Sequence, residues 1–187
     1  RGRLKSAAKK LLQARPTEPP VRPAAPPARE PIGDVFNTAD LAVLTGLVGI
    51  KMALQPRGRP LLVNHWATWC AGCVEELPAL VSVRERWGSA LDVVGIGWEG
   101  FQAPADPAEL LRAVEREAEK SGLDWPTLVY DGSPDSLFSG LGLEVHTIPQ
   151  TTLVAPDGTV LFHTTQPLDE ATVAELHAAI EKAAATL

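Results

Sequence analysis

The feature that most constrains the fold of this chain is a pair of cysteines, Cys70 and Cys73, that directly follows a short apolar segment. They are the only two cysteines among 187 residues, so the disulfide framework that stabilises small secreted domains cannot form. A lone C-x-x-C pair among strands and helices is typical of redox chemistry. Half of a zinc site is the alternative, but zinc needs four ligands and the sequence has no second cysteine pair.

The residues around the pair predict a strand followed by a helix. The apolar run 61–63 suits a buried strand, and Cys70 is expected at the start of the next helix. The partial positive charge and free N–H groups of a helix N-terminus favour a thiolate, so we predict that Cys70 is the nucleophile. Cys73 lies one turn further on the same side, where it is more shielded and can resolve a mixed disulfide. Two inert core cysteines remain the alternative.

The charge and proline content divide the chain into two parts. Residues 1–30 hold eight Lys or Arg and two Glu, a net charge of +6, while the whole chain carries −6, so the remainder carries −12. Seven prolines between 16 and 31 indicate an extended spacer. We therefore expect a basic, Pro-rich flexible arm over 1–31 and a domain over 33–187. No aromatic residue interleaves the basic ones, so we expect a solvated arm and no nucleic-acid partner.

Apolar periodicity and turn residues predict the elements of the domain. Beyond the strand at 61–63 and the helix at Cys70, we expect a helix over 39–54, a strand over 91–97, a helix capped by Asp106, a strand over 127–130, a helix over 134–141, a hairpin of 151–155 and 159–163, and a last helix over 169–184. This order predicts an α/β sandwich with mixed strand directions.

Three segments resemble one branch of a known superfamily. The stretch 64–73, NHWATWCAGC, resembles the N-F-W-A-T-W-C-x-x-C signature of the TlpA/ResA branch of the thioredoxin superfamily. Glu76 and Pro78 fit its C-x-x-C-x-x-E-x-P pattern, and 143–149 resembles its Y-x-V-x-x-x-P segment with Leu143 in place of Tyr. The resemblance covers about 58–185. It implies a thioredoxin-like three-layer α/β/α sandwich with a central mixed sheet, preceded here by the Pro-rich arm.

The resemblance also implies roles for individual residues. Pro149 would be a cis-proline against the cysteines, which leaves the backbone of Ile148 open to an extended substrate segment. Glu76 would be a buried acid that helps to move the Cys73 proton, and a solvated surface Glu is the alternative. Asn64 stands where true thioredoxins have an acid, which leaves the proton transfer to Glu76. Trp69 would offer partners a flat apolar contact.

The other polar and aromatic residues near the motif are expected to have structural roles. His65 replaces the Phe of the branch and is expected in the core, and Trp66 is expected to pack there. His146 would lie near the cis-proline loop, where it could tune Cys70. His163 and His177 are expected to be structural or exposed. Residues 98–101 begin a loop that could line the same face, and no role is assigned to them.

The sequence thus predicts an enzyme that reduces protein disulfides through its dithiol. Its partners would be a protein disulfide substrate and an upstream thiol reductant, with no metal or organic cofactor, and we expect a monomer. The resemblance implies an extracytoplasmic location with a membrane tether, and cytochrome c maturation is one task of the branch. The sequence itself shows neither a signal nor an apolar span of about 20 residues, so a cytoplasmic location stays open.

Two other functions stay open as well. The same dithiol could donate disulfides, as an oxidase or isomerase does, or it could gate a binding module without turnover. A peroxidase of the redoxin type is disfavoured, because its T-x-x-C loop with a preceding Pro is absent.

Overall fold

The computed structural model describes residues 40–55, 57–102, 106–144 and 146–185. The predicted arm over 1–31 lies outside these residues. Within the described ranges, no helix combines the length and the apolar character that a membrane crossing requires.

The centre of the fold is a six-stranded mixed sheet. Its strands are β1 (Ala42–Thr45), β2 (Leu61–Trp66), β3 (Asp92–Gly97), β4 (Thr127–Tyr130), β5 (Gln150–Val154) and β6 (Val160–Thr164). Their order across the sheet is β1-β4-β3-β2-β5-β6. The first four of that order are parallel, whereas β5 is antiparallel to β2 and β6 is antiparallel to β5. The predicted mixture of strand directions is confirmed.

Helices cover both faces of this sheet. They are α1 (Leu47–Ala53), α2 (Ala71–Trp87), α3 (Pro107–Ser121), α4 (Pro134–Leu141) and α5 (Glu170–Ala184). Apolar side chains of α2, α3 and α5 pack on one face, in a cluster that includes Leu62 and Trp66 of β2. Those of α1 and α4 pack on the other face, in a cluster that includes Leu61 and Val63. Alternate side chains of β2 therefore pack into two separate cores, one on each face of the sheet. The three-layer α/β/α sandwich is confirmed.

The single helix predicted over 39–54 is wrong. Its first part is the strand β1, which pairs in parallel with β4, and only Leu47–Ala53 is helical. Gly46 separates the two elements in an extended conformation at the N-cap of α1. A short apolar run suits a buried strand as well as a helix, and here the pairing with the distant β4 decides.

The other predicted elements are present with small shifts at their ends. Asp106 caps α3 by accepting a hydrogen bond from the Ala108 N–H at 2.8 Å, and Asp169 caps α5 by accepting one from the Thr172 N–H at 2.8 Å. The hairpin of β5 and β6 turns through Gly158, whose φ of 89° suits glycine. These caps and turns depend on residues adjacent in sequence, which is why their positions could be predicted.

Candidate active site

The two cysteines lie at the N-terminus of α2, the helix that follows the central strand β2 in the chain. Cys70 is the N-cap residue, and its Sγ accepts a hydrogen bond from the Cys73 N–H at 3.2 Å. The Cys70 N–H donates to the Ala67 carbonyl at 3.1 Å, which closes a tight turn between β2 and α2. The predicted helix start is confirmed.

The two sulfur atoms are joined in a disulfide and differ in exposure. Cys70 is half-buried, whereas Cys73 is fully buried in the core cluster on the α2 face. In the reduced protein, only Cys70 would be open to a partner. Among the described residues, no group of three or more His, Cys, Asp or Glu is arranged to hold a metal ion.

Pro149 and Ile148 lie at the start of β5, the strand that pairs with β2. The Ile148–Pro149 peptide bond is cis. Ile148 is half-buried, and both Ile148 and Cys70 pack against both core clusters of the molecule. The antiparallel register pairs His65 with Gln150. Pro149, which directly precedes Gln150, therefore lies beside the end of β2 that leads to Cys70. The structure thus brings the cysteine turn and the proline loop to the same end of the sheet.

Glu76 is buried on the second turn of α2, with only 2% of its surface exposed. Its Oε1 accepts a hydrogen bond from Asn64 Nδ2 at 2.8 Å, and its Oε2 accepts one from the Leu168 N–H at 3.0 Å. Burial raises the pKa of Glu76 from 4.5 to about 7, and the hydrogen bonds from Leu168 and Asn64 limit the rise. The alternative of a solvated surface Glu is wrong. Its side chain can gain or lose a proton near neutral pH.

Asn64 connects Glu76 to the proline loop. It lies in β2, and besides Glu76 it donates to Thr151 Oγ1 at 3.1 Å. Thr151 is two residues after Pro149 in β5. A neutral amide at this position satisfies its neighbours without titrating, so Glu76 is the titrating group of this hydrogen-bonded cluster.

Curated relatives that match part of this chain include a thioredoxin-like protein and named thiol–disulfide oxidoreductases. Thioredoxin-like protein YneN of Bacillus subtilis is 32% identical over 46% of this chain and 48% of its own length. Thiol-disulfide oxidoreductase ResA of Geobacillus kaustophilus is 29% identical over 67% of this chain and 66% of its own. The chain thus spans about half to two thirds of the curated relatives it matches. No protein-family profile matches it.

These similarities support the resemblance of the chain to thioredoxin-like proteins of the TlpA/ResA type.

Solved structures agree with this fold. A thioredoxin-family thiol:disulfide interchange protein of Chlorobium tepidum has a TM-score of 0.53 at 22% identity, covering 72% of this chain and 84% of its own. A DsbF homologue of Corynebacterium diphtheriae has a TM-score of 0.55 at 20% identity, covering 68% of this chain and 73% of its own. These similarities concern the fold alone.

The tryptophans of this TlpA/ResA-type motif have different surroundings. Trp69, directly before Cys70, is 39% exposed. Trp66 is buried, and its Nε1 donates to Thr127 Oγ1 at 3.2 Å, as its predicted packing role requires. The segment before α5 lies over the first turn of α2, because a Cβ on Gly72 would stand 3.4 Å from Pro167 Cγ.

Among the histidines, His65 is a core residue, as predicted. Its Nδ1 accepts a hydrogen bond from Trp98 Nε1 at 3.0 Å, and burial, with a smaller contribution from His163, lowers its pKa to about 4. His146 is exposed and stacks on Phe138 with 4.1 Å between ring centroids. An influence of His146 on Cys70 stays a prediction.

The other two histidines bond to neighbouring side chains. His163 is exposed and shares a hydrogen bond with Thr152, and His177 accepts one from Trp87 Nε1. Both fit the predicted structural or exposed class.

Sequence reasoning missed Glu99, which follows β3. Only 6% of it is exposed, and its carboxyl accepts hydrogen bonds from the Thr68 N–H at 2.5 Å and from Thr68 Oγ1 at 3.0 Å. Burial raises its pKa, and the two hydrogen bonds from Thr68 oppose the rise. Its position in the sequence could have indicated a role. Glu99 comes two residues after the end of β3, the parallel neighbour of β2, and so lies at the edge of the sheet where the cysteines are.

Proposed function

We propose that this protein is a thiol–disulfide oxidoreductase that reduces disulfides in other proteins. One observation carries the proposal: a half-buried Cys70 at a helix N-terminus is bonded to a fully buried Cys73. An accessible sulfur that can attack and a shielded sulfur that can resolve are what a two-step exchange needs. The thiol–disulfide oxidoreductases among its relatives support the same activity.

The exchange would proceed through a mixed disulfide. In the reduced protein, the Cys70 thiolate attacks one sulfur of the substrate disulfide and releases the other as a thiolate, which takes up a proton. Cys73 then loses its proton and attacks Cys70, which releases the second substrate thiol. The substrate gains two electrons, and the protein is left with the Cys70–Cys73 disulfide of the present structure. An upstream thiol reductant would restore the dithiol.

Glu76 would accept the Cys73 proton in the second step. It lies three residues after Cys73, hence on the same side of α2, and it is the buried acid nearest in sequence. A pKa of about 7 suits a group that must take and return a proton at neutral pH.

Trp69 and Ile148 would bind the substrate. The exposed indole of Trp69 offers apolar area next to Cys70, and the backbone of Ile148 would pair with an extended segment around the substrate disulfide. Pro149 would hold that backbone beside the cysteines. The proposal includes three further statements. The composition supports a division into an arm over 1–31 and a domain over 33–187. The resemblance supports an extracytoplasmic location with a membrane tether, and we expect a monomer.

The charges near the motif support the reducing direction. Residues 64–83 contain no Lys or Arg, whereas Glu75 and Glu76 lie within two turns of Cys70. A stabilised thiolate favours the reduced form and makes the pair more oxidising, and the N-terminus of α2 acts in that direction. Nearby negative charge raises the pKa of a thiol and weakens this stabilisation, so the pair should stay reducing. We expect a reduction potential below about −200 mV. A value near about −120 mV would instead support a disulfide-donating oxidase.

The test measures reduction of insulin with dithiothreitol as the regenerating thiol. We expect turnover by the native protein, none by Cys70→Ser, and accumulation of a mixed disulfide by Cys73→Ser. Glu76→Gln should turn over more slowly, and Glu75→Gln is its matched control, because Glu75 is exposed and adjacent to Glu76. Alkylation of the reduced protein near pH 6 should label Cys70 first. Preferential labelling of Cys73 would overturn the assignment, and absence of turnover would favour a redox-gated binding module.

A further inference from the structure

We propose that Glu99 is a positioning residue for Cys70: through Thr68 it holds the turn that places the nucleophilic sulfur at the start of α2. This inference deepens the proposed function and rests on it, since it takes Cys70 as the nucleophile.

The sheet itself brings Glu99 to this turn. Strands β2 and β3 are parallel and end side by side, with Trp66 in register with Gly97. The Trp98 N–H donates to the Trp66 carbonyl at 3.0 Å and extends the ladder by one residue. Glu99 then begins a short 3₁₀ turn, Glu99–Phe101, while the other strand enters the turn that leads to Cys70. Residues 31 apart in sequence are thereby placed in contact.

The base of this 3₁₀ turn is rigidly packed. Trp98 packs against both Phe101 and Phe138, with ring centroids 5.2 and 5.1 Å away, and its Nε1 donates to His65. The backbone that carries Glu99 is therefore fixed by a buried aromatic cluster. A carboxyl on such a support can impose its geometry on the more exposed cysteine turn.

Thr68 transmits that geometry to Cys70. The turn is closed by the bond from the Cys70 N–H to the Ala67 carbonyl, which leaves the Thr68 N–H without a partner inside the turn. Glu99 accepts that N–H and the Thr68 hydroxyl together. Two bonds to one residue fix both its backbone and its side chain, so the path from Thr68 to the Cys70 sulfur is held from one end by Glu99 and from the other by the Cys73 N–H.

The role differs from that of Glu76. Glu76 bonds to Asn64 and Leu168 and lies beyond Cys73, whereas Glu99 bonds to the segment before Cys70. Glu99 therefore contacts the segment that precedes the motif, whereas Glu76 lies on the helix that follows it. Glu76 would exchange a proton with Cys73, as proposed above, whereas Glu99 would act through its hydrogen bonds to the turn.

The test uses the Cys73→Ser protein, in which Cys70 is the only thiol. The rate constant for its attack on the aromatic disulfide dithiobis(nitrobenzoate) is followed at pH 7 by release of the coloured thiolate, and it is expressed per folded molecule. Adding Glu99→Ala should slow the attack by about tenfold or more, because displacement of a reacting group by about 1 Å can have larger effects. Adding Glu99→Gln should restore the rate, since an amide can accept from the Thr68 N–H and donate to the Thr68 hydroxyl.

The control is Glu117→Ala in the same background. Glu117 is a largely buried carboxyl on α3 that bonds to Lys120 and Ser121, away from the motif, and its loss should leave the rate unchanged. An unchanged rate in the Glu99→Ala protein would overturn the proposal, as would a Glu99→Gln protein as slow as Glu99→Ala. If Glu99→Ala does not fold, Thr68→Val should slow the attack and Thr68→Ser should restore it, and equal rates would equally overturn the proposal. The reagent needs no reductase turnover, so a native protein that fails on insulin would refute the proposed function without deciding the role of Glu99.

Discussion

Glu76 should make the oxidised protein less stable as the pH rises through neutrality. Its pKa is about 7 in the folded protein and 4.5 in the reference state, so between these values the folded protein keeps a proton that the unfolded chain releases. Rising pH then favours unfolding, and stability that is fully present below pH 4.5 is lost by about pH 7. Raising that pKa from 4.5 to about 7 corresponds to about 3 kcal/mol of the free energy of unfolding.

Urea unfolding, followed by tryptophan fluorescence at several pH values between 4.5 and 8, measures this effect. The Glu76→Gln protein should lose about 3 kcal/mol less than the native protein across that range. Other titrating groups, His65 and Glu99 among them, are common to both proteins and cancel in the difference. Glu75→Gln is the control and should follow the native curve, because Glu75 is exposed. Parallel curves for the native and Glu76→Gln proteins would refute the argument that burial raises the pKa of Glu76.

Three further predictions concern other parts of the molecule. Asn64→Ala removes a hydrogen bond that limits the pKa of Glu76, so the pH–rate profile of disulfide reduction should move to higher pH; an unmoved profile would contradict this. His65→Phe leaves Trp98 Nε1 without its acceptor and should cost about 1–3 kcal/mol at pH 7, yet flatten the loss of stability between pH 6.5 and about 4, as urea unfolding would show. Deleting residues 1–31 should leave the thermal midpoint and the reductase rate nearly unchanged, and a drop in either would show that the arm docks on the domain.

Features that depend on residues close together in the sequence could be predicted, whereas contacts between distant residues could not. Cys70 could be placed at a helix N-terminus because the strand, the turn and the first helical turn are contiguous in sequence. The bonds from Thr68 to Glu99 and from Leu168 to Glu76 could not be predicted, since they join residues 31 and 92 apart and depend on the strand order. The burial of Glu76 needed the resemblance, because an isolated helical Glu is usually exposed.

The wrong prediction of a helix over 39–54 also results from a contact between residues far apart in the sequence. Its apolar residues were assigned by local pattern, but the partner that makes Ala42–Thr45 a strand is β4, more than 80 residues further along the chain by the register of Ala42 with Thr127. Local propensity is a weak guide where such a pairing is available.

The bond between Leu168 and Glu76 also orders events during synthesis of the chain. The ribosome makes both cysteines and α2 long before it makes the strand β5 that flanks β2, and Leu168 emerges later still. A nascent chain that ends before residue 150 therefore carries the C-x-x-C pair without the proline loop and without the cover over Glu76. Without that cover Glu76 would be more open to water, and burial would raise its pKa less than in the folded protein. The complete site therefore forms only when the last part of the domain, from β5 onward, has folded onto the cysteine motif.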